Sequence, residues 1–149
     1  MKPLVVLIVV FVICLVITSL LNHELNYAFS GRIAMSAMLL FTSVAHFKFR
    51  DGMIRMLPDF VPAKDKIILG TGLIEIAGAI GLLINNTAKL SGILLIIFFI
   101  LILPANIYGS IKRVNLEKNN YDGMGLSYLW FRIPLQFFFI GWIYWFVLR

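Results

Sequence analysis

Cysteine is almost missing from this chain: Cys14 is the single one in 149 residues. An internal disulfide framework and a Cys-x-x-Cys redox pair are therefore excluded. Charge is scarce too. Asp, Glu, Lys and Arg supply 13% of the residues, against about 25% in soluble domains, and 61% are hydrophobic against about 45–50%. Neither a water-soluble globule nor a disordered segment fits that composition or the mean hydropathy of +0.96. Acidic residues number seven beside thirteen basic ones, for a net charge of +6. Nucleic-acid binders spread such an excess over a folded polar surface. Here it falls in short gaps between apolar runs, so no nucleic-acid partner is expected. Histidine is limited to His23 and His46. No second histidine or cysteine stands where it could complete a zinc or haem site with His46, and no metal is expected.

What the chain does have is long apolar runs. Residues 4–21 carry no charge, and at about 1.5 Å per residue they nearly cross a hydrocarbon core of roughly 30 Å. Residues 28–47, 67–84, 90–111 and 124–148 are similar, broken only by Arg32 near one end and by His46, Glu75, Asn106 and Arg132 within. Continuous rather than alternating hydrophobicity, and the need to satisfy every backbone group in lipid, predict helices and not strands. The expected fold is an all-α membrane protein with five transmembrane helices. The first run exceeds the apolar core of a usual signal peptide and lacks an Ala-x-Ala-like cleavage site, so it is expected to stay as an anchor. Residues 1–27 then form an anchor helix with its outer turn, and residues 28–149 a four-helix domain.

Lysine and arginine set orientation, because they are retained on the cytoplasmic side. Lys2, Lys48, Arg50, Arg55, Lys64, Lys66, Lys112, Arg113 and Lys118 fall on the side of the amino terminus; Arg32, Lys89 and Arg149 fall opposite. The expectation is a bacterial cytoplasmic (inner) membrane protein with the amino terminus inside and the carboxyl terminus outside. His23, Glu24 and Asn26 are placed in one short outer turn and Asn85, Asn86 and Thr87 in another. The inner segment 48–66 contains Pro58 and Pro62, each fixing φ, and is expected to be ordered. The glycine-containing segment 112–125 is expected to be more mobile.

Ionisable residues inside a span cost several kcal/mol unless paired or hydrated, which singles out Glu75 and Arg132. Glu75 lies about nine residues, roughly 14 Å, below the inner surface, and Arg132 roughly 8 Å below it; the long arginine side chain can close that gap, so the two are expected to pair. His46, Asn106 and Gln136 fall in the same inner half. Five polar side chains from four helices thus converge on a candidate ligand-binding cleft. They can equally form a structural ion pair with its hydrogen-bonding partners, specifying how the helices dock. Pro134 is expected to kink the last span, and Ala77 with Gly81 to bring a neighbouring helix close. Trp130, Trp142, Tyr144 and Trp145 are read as interfacial belt anchors.

Several of these residues sit in short motifs. Ala45-His46-Phe47, Met56-Leu57-Pro58-Asp59-Phe60-Val61-Pro62, Thr71-Gly72-x-x-Glu75, Leu103-Pro104-Ala105-Asn106 and Leu129-Trp130-Phe131-Arg132-x-Pro134-x-Gln136 occur in that order. In these the chain resembles the DoxX-like family of small bacterial membrane proteins over residues 31–147. The resemblance implies a four-helix bundle to which the first helix is an addition. Some members are associated with quinone-linked oxidation and membrane oxidoreductase complexes, others with assembly of membrane proteins. Two functions follow as expectations. One is a ligand-binding or accessory subunit of membrane redox chemistry, whose cleft at His46, Glu75, Asn106, Arg132 and Gln136 takes a quinone or another lipophilic molecule. The other is a non-enzymatic assembly or interaction partner of another membrane protein, or a homo-oligomer, in the lipid bilayer. No catalytic set is complete, and a proton-coupled transporter lacks the inverted halves that alternating access needs.

Overall fold

The computed structural model describes residues 2–22 and 25–149; His23 and Glu24, assigned above to an outer turn, lie outside the described residues. Five long helices carry the chain: α1 (Lys2–Asn22), α2 (Tyr27–Lys48), α4 (Lys64–Leu83), α5 (Asn85–Ile111) and α6 (Leu126–Ile143). A short α3 (Arg50–Ile54) follows α2, and α6 runs into a π-helical turn, Tyr144–Leu148. All five long segments, the last counted through the π turn, are long and apolar enough to cross a membrane. Among the described residues there is no strand beyond one isolated bridge.

Local chemistry sets the helix ends. Asn26 caps α2, its side chain accepting from the Phe29 N–H at 3.0 Å. Between α4 and α5 only Ile84 is extended, so Asn85, Asn86 and Thr87 form the first turn of α5 and not a separate loop. The Thr87 hydroxyl donates to the Gly81 carbonyl at 3.0 Å, closing the end of α4. Pro134 and Pro104 both lie inside unbroken helices; each withholds one N–H, a loss that membrane helices tolerate.

Helices α2, α4, α5 and α6 form a ring in that order, which the end of α6 and its π turn close back onto α2. α4 and α6 are thus diagonal across the bundle. α1 lies outside the ring against α2; Leu7 enters the core and Phe11 meets the Trp142 ring edge-on at 4.9 Å. The apolar core, with Ala34, Met35, Leu39, Ala79, Leu82, Leu95 and Ile143, occupies one half of the bundle. Trp142 belongs to it, donating from Nε1 to the Gly31 carbonyl at 3.0 Å, and is buried rather than placed in an interfacial belt. Gly31 admits this packing: a Cβ there would run into the Phe146 ring. Leu20, Leu21, Leu101 and many other apolar side chains face outward, which suits contact with lipid.

The other half ends in a basic surface. Lys2 pairs with Glu117, Arg50 with Asp65 at 3.0 Å, and Arg55 donates to Asn119 at 2.7 Å. These contacts gather the start of α1, α3 and segment 112–125 at one end. Arg32 and Asn85 meet at 2.9 Å at the other. Segment 112–125 is tied down rather than loose. Asn115 N–H donates to the Asn120 carbonyl at 2.8 Å and Gly123 N–H to the Arg113 carbonyl at 2.7 Å. Gly52 of α3 rests against the Leu116 backbone, where a Cβ would approach to 2.6 Å.

Candidate functional site

His46, on the last turns of α2, meets Glu75 of α4. Its Nε2 lies 3.4 Å from Glu75 Oε1, and the glutamate side chain is 6% exposed. Gly72, one turn before Glu75, makes room: a Cβ there would lie 2.9 Å from the His46 Cβ. On the other edge of the ring, Nδ1 stands 3.2 Å from the Ile68 carbonyl and 3.0 Å from the Thr71 hydroxyl, which itself donates to that carbonyl at 2.8 Å. With the hydrogen on Nδ1, His46 donates to the Ile68 carbonyl; in the other tautomer the Thr71 hydroxyl donates to Nδ1 and Nε2–H can donate to Glu75 Oε1. Glu75 Oε2 is buried and has no hydrogen-bond partner among the described residues.

A second polar pair joins α5 to α6. Asn106 Nδ2 donates to Gln136 Oε1 at 3.2 Å, and Gln136 Nε2 donates to the Phe99 carbonyl. Ser110 closes the next turn, its hydroxyl donating to the Asn106 carbonyl at 3.0 Å. Both amides are buried. This pair is neutral, and Gln136 directs its amide oxygen and nitrogen to two residues of α5, which is what an amide inside a bundle does when it specifies packing.

Arg132 does not join Glu75, contrary to the expectation from depth. Its guanidinium lies over the ring of Tyr128, one turn earlier on α6, 5.5 Å from the centroid. Among the described residues it has no carboxylate within ion-pair distance. The reason is azimuth. Similar depth brings two side chains together only when their faces turn toward each other; α4 and α6 are diagonal, and Arg132 turns to Tyr128 of its own helix. The structure therefore divides the five residues into an α2–α4 pair, an α5–α6 pair and a separate arginine. From the sequence Thr71 entered only as part of the Thr71-Gly72-x-x-Glu75 motif and not as a partner of His46, and the Ile68 carbonyl was not singled out. Thr71 stands four residues before Glu75 on the same helical face, and that spacing was the available signal.

Fold and polar pairs together define a multi-pass helical-bundle membrane protein with an ionisable pair inside its spans. More particularly, the chain belongs to the family described as a domain of unknown function, DUF8561, whose model matches residues 35–147. That stretch runs from within α2 to the π turn and leaves α1 outside. No curated protein and no solved structure matches the chain.

Proposed function

We propose that this chain is a ligand-binding or accessory subunit of membrane redox chemistry, and that its ligand is a quinone-type lipophile held at the His46–Glu75 pair. The observation that carries this reading is Glu75 Oε2, buried and without a hydrogen-bond partner among the described residues. An unpaired buried carboxylate oxygen is costly, and a hydroxyl-bearing ligand arriving between apolar helices would satisfy it. A reduced quinone ring offers such a hydroxyl. When the ligand presents a carbonyl instead, the His46 ring can serve as its donor. The motifs around His46, Glu75, Asn106 and Arg132, similar to those of DoxX-like proteins, support the same reading.

The test is purification in mild detergent followed by lipid extraction and mass spectrometry. A quinone retained above its share of the bulk lipid, and lost on Glu75→Gln, is the expected result. A wild-type chain carrying no enriched lipophile overturns the proposal.

The reading includes a bacterial cytoplasmic membrane with the basic end inward, supported by the gathering of lysines and arginines at that end. A reporter fused after Arg149 that fluoresces only in the cytoplasm should then stay dark.

A further inference from the structure

At the basic end, a cleft of about 440 Å³ opens between the α3–α4 connection, the start of α4, the end of α5 and segment 112–125. That volume lies within the range of small-molecule sites. Its charged and aromatic lining is Arg55, Asp59, Lys64, Tyr108, Lys112 and Tyr121. We propose that this cleft binds a phosphate-bearing group, a site separate from the His46–Glu75 pair and independent of what that pair holds.

The three cations are not equivalent. Lys64 is already engaged, donating to Asp59 and to the Leu57 carbonyl, each at 3.1 Å. Arg55 and Lys112 have no carboxylate within ion-pair distance among the described residues. Arg55 is also held in place. Its Nε donates to Asn119 at 2.7 Å, and its guanidinium lies over the Tyr121 ring, 5.2 Å from the centroid. Stacking and the Nε contact fix the plane of the fork while leaving the terminal nitrogens free for a planar, two-point grip on an oxyanion. Lys112 extends over the Tyr108 ring at 5.7 Å and adds a point charge from a different helix.

Cations converging from α5 and from the α3–α4 connection suit a tetrahedral anion with several oxygens better than a flat carboxylate. Phe60 and Ile111 lie beside this charged lining in the sequence and are 86% and 58% exposed. Apolar surface next to uncompensated cations at the end of a membrane bundle is the setting in which anionic lipid headgroups are held. A soluble phosphate compound offers the same chemistry.

The experiment separates those sources. The full chain, purified in detergent, is titrated with phosphatidylglycerol or phosphatidylcholine and read by native mass spectrometry. In parallel its thermal unfolding is followed with inorganic phosphate against chloride at equal ionic strength. Wild type is compared with Lys112→Gln, with the Arg55→Gln/Lys112→Gln double variant and with Lys89→Gln at the opposite end. Preference for phosphatidylglycerol that falls about tenfold in the double variant, the scale of one charge-assisted contact, and persists in Lys89→Gln supports a lipid headgroup. Stabilisation by inorganic phosphate with the same pattern, and no lipid preference, supports a soluble phosphate compound. Lys112→Gln alone, at an exposed position, reports a smaller loss should the double variant unfold. Absence of both effects in wild type, or their survival unchanged in the lysine variant and in a folded double variant, overturns the proposal.

Discussion

Two helix contacts in the same half of the bundle deal with buried polarity in opposite ways. Where α5 meets α6, Asn106 and Gln136 face each other as neutral amides, and Gln136 completes its needs on the Phe99 carbonyl. Where α2 meets α4, His46 Nε2 faces Glu75 Oε1, and Glu75 Oε2 has no hydrogen-bond partner among the described residues. The first contact is neutral and joins two helices. The second leaves a buried carboxylate oxygen unpaired among the described residues. Polarity at similar depth therefore does not imply a common role; what distinguishes the two is whether a buried ionisable oxygen is left without a partner.

The sharpest way to break this comparison is at Gly72. Gly72→Leu would drive a side chain into the space of the His46 Cβ, now only 2.9 Å from an ideal Cβ position, and should destabilise the bundle by about 1–3 kcal/mol while abolishing ligand retention. Thermal unfolding in detergent together with lipid extraction measures both.

The next test sets the two contacts against each other. Gln136→Leu leaves the Asn106 amide and the Phe99 carbonyl unsatisfied and should cost about 0.6–2 kcal/mol, the range for buried polar contacts in membrane and soluble hosts. Glu75→Gln removes the carboxylate at nearly constant shape; it should change stability by less than Gln136→Leu does, yet remove the ligand. If Glu75→Gln proves the more destabilising of the two, the α2–α4 pair is the structural one and the contrast reverses.

The smallest effect is expected outside the spans. Lys2 beside Glu117 holds that carboxyl below its ordinary value of 4.5. A lowered folded-state value means that the stabilisation is present above pH 4.5 and is lost as pH falls through the folded value. Lys2→Gln should therefore lower thermal stability slightly at neutral pH, and the difference from wild type should vanish in acid. A difference that grows in acid would contradict the pairing.

The spans were legible because an uninterrupted apolar run admits one solution in lipid, and the turn ends were less so. Asn85, Asn86 and Thr87 read as a loop from their polarity, yet a single extended residue, Ile84, is enough to reverse the chain, and the Thr87 hydroxyl serves the end of α4 instead. Segment 112–125, expected to be mobile from its composition, also makes defined contacts. Its glycines and asparagines supply backbone conformations and hydrogen bonds that fasten it to α3 and to itself. Trp142 was placed at an interface by composition, whereas the close approach of α2 at Gly31 buries it.

From the order of residues alone came five apolar rods, the end at which the cations gather and the depth of each polar side chain, because these depend on distance along a helix and nothing else. Which of those side chains touch was decided by the ring order of the helices, because contact also requires that two faces be turned toward each other across adjacent rods. Glu75 therefore found a histidine on a neighbour, and Arg132, across the diagonal, stayed with a tyrosine of its own helix.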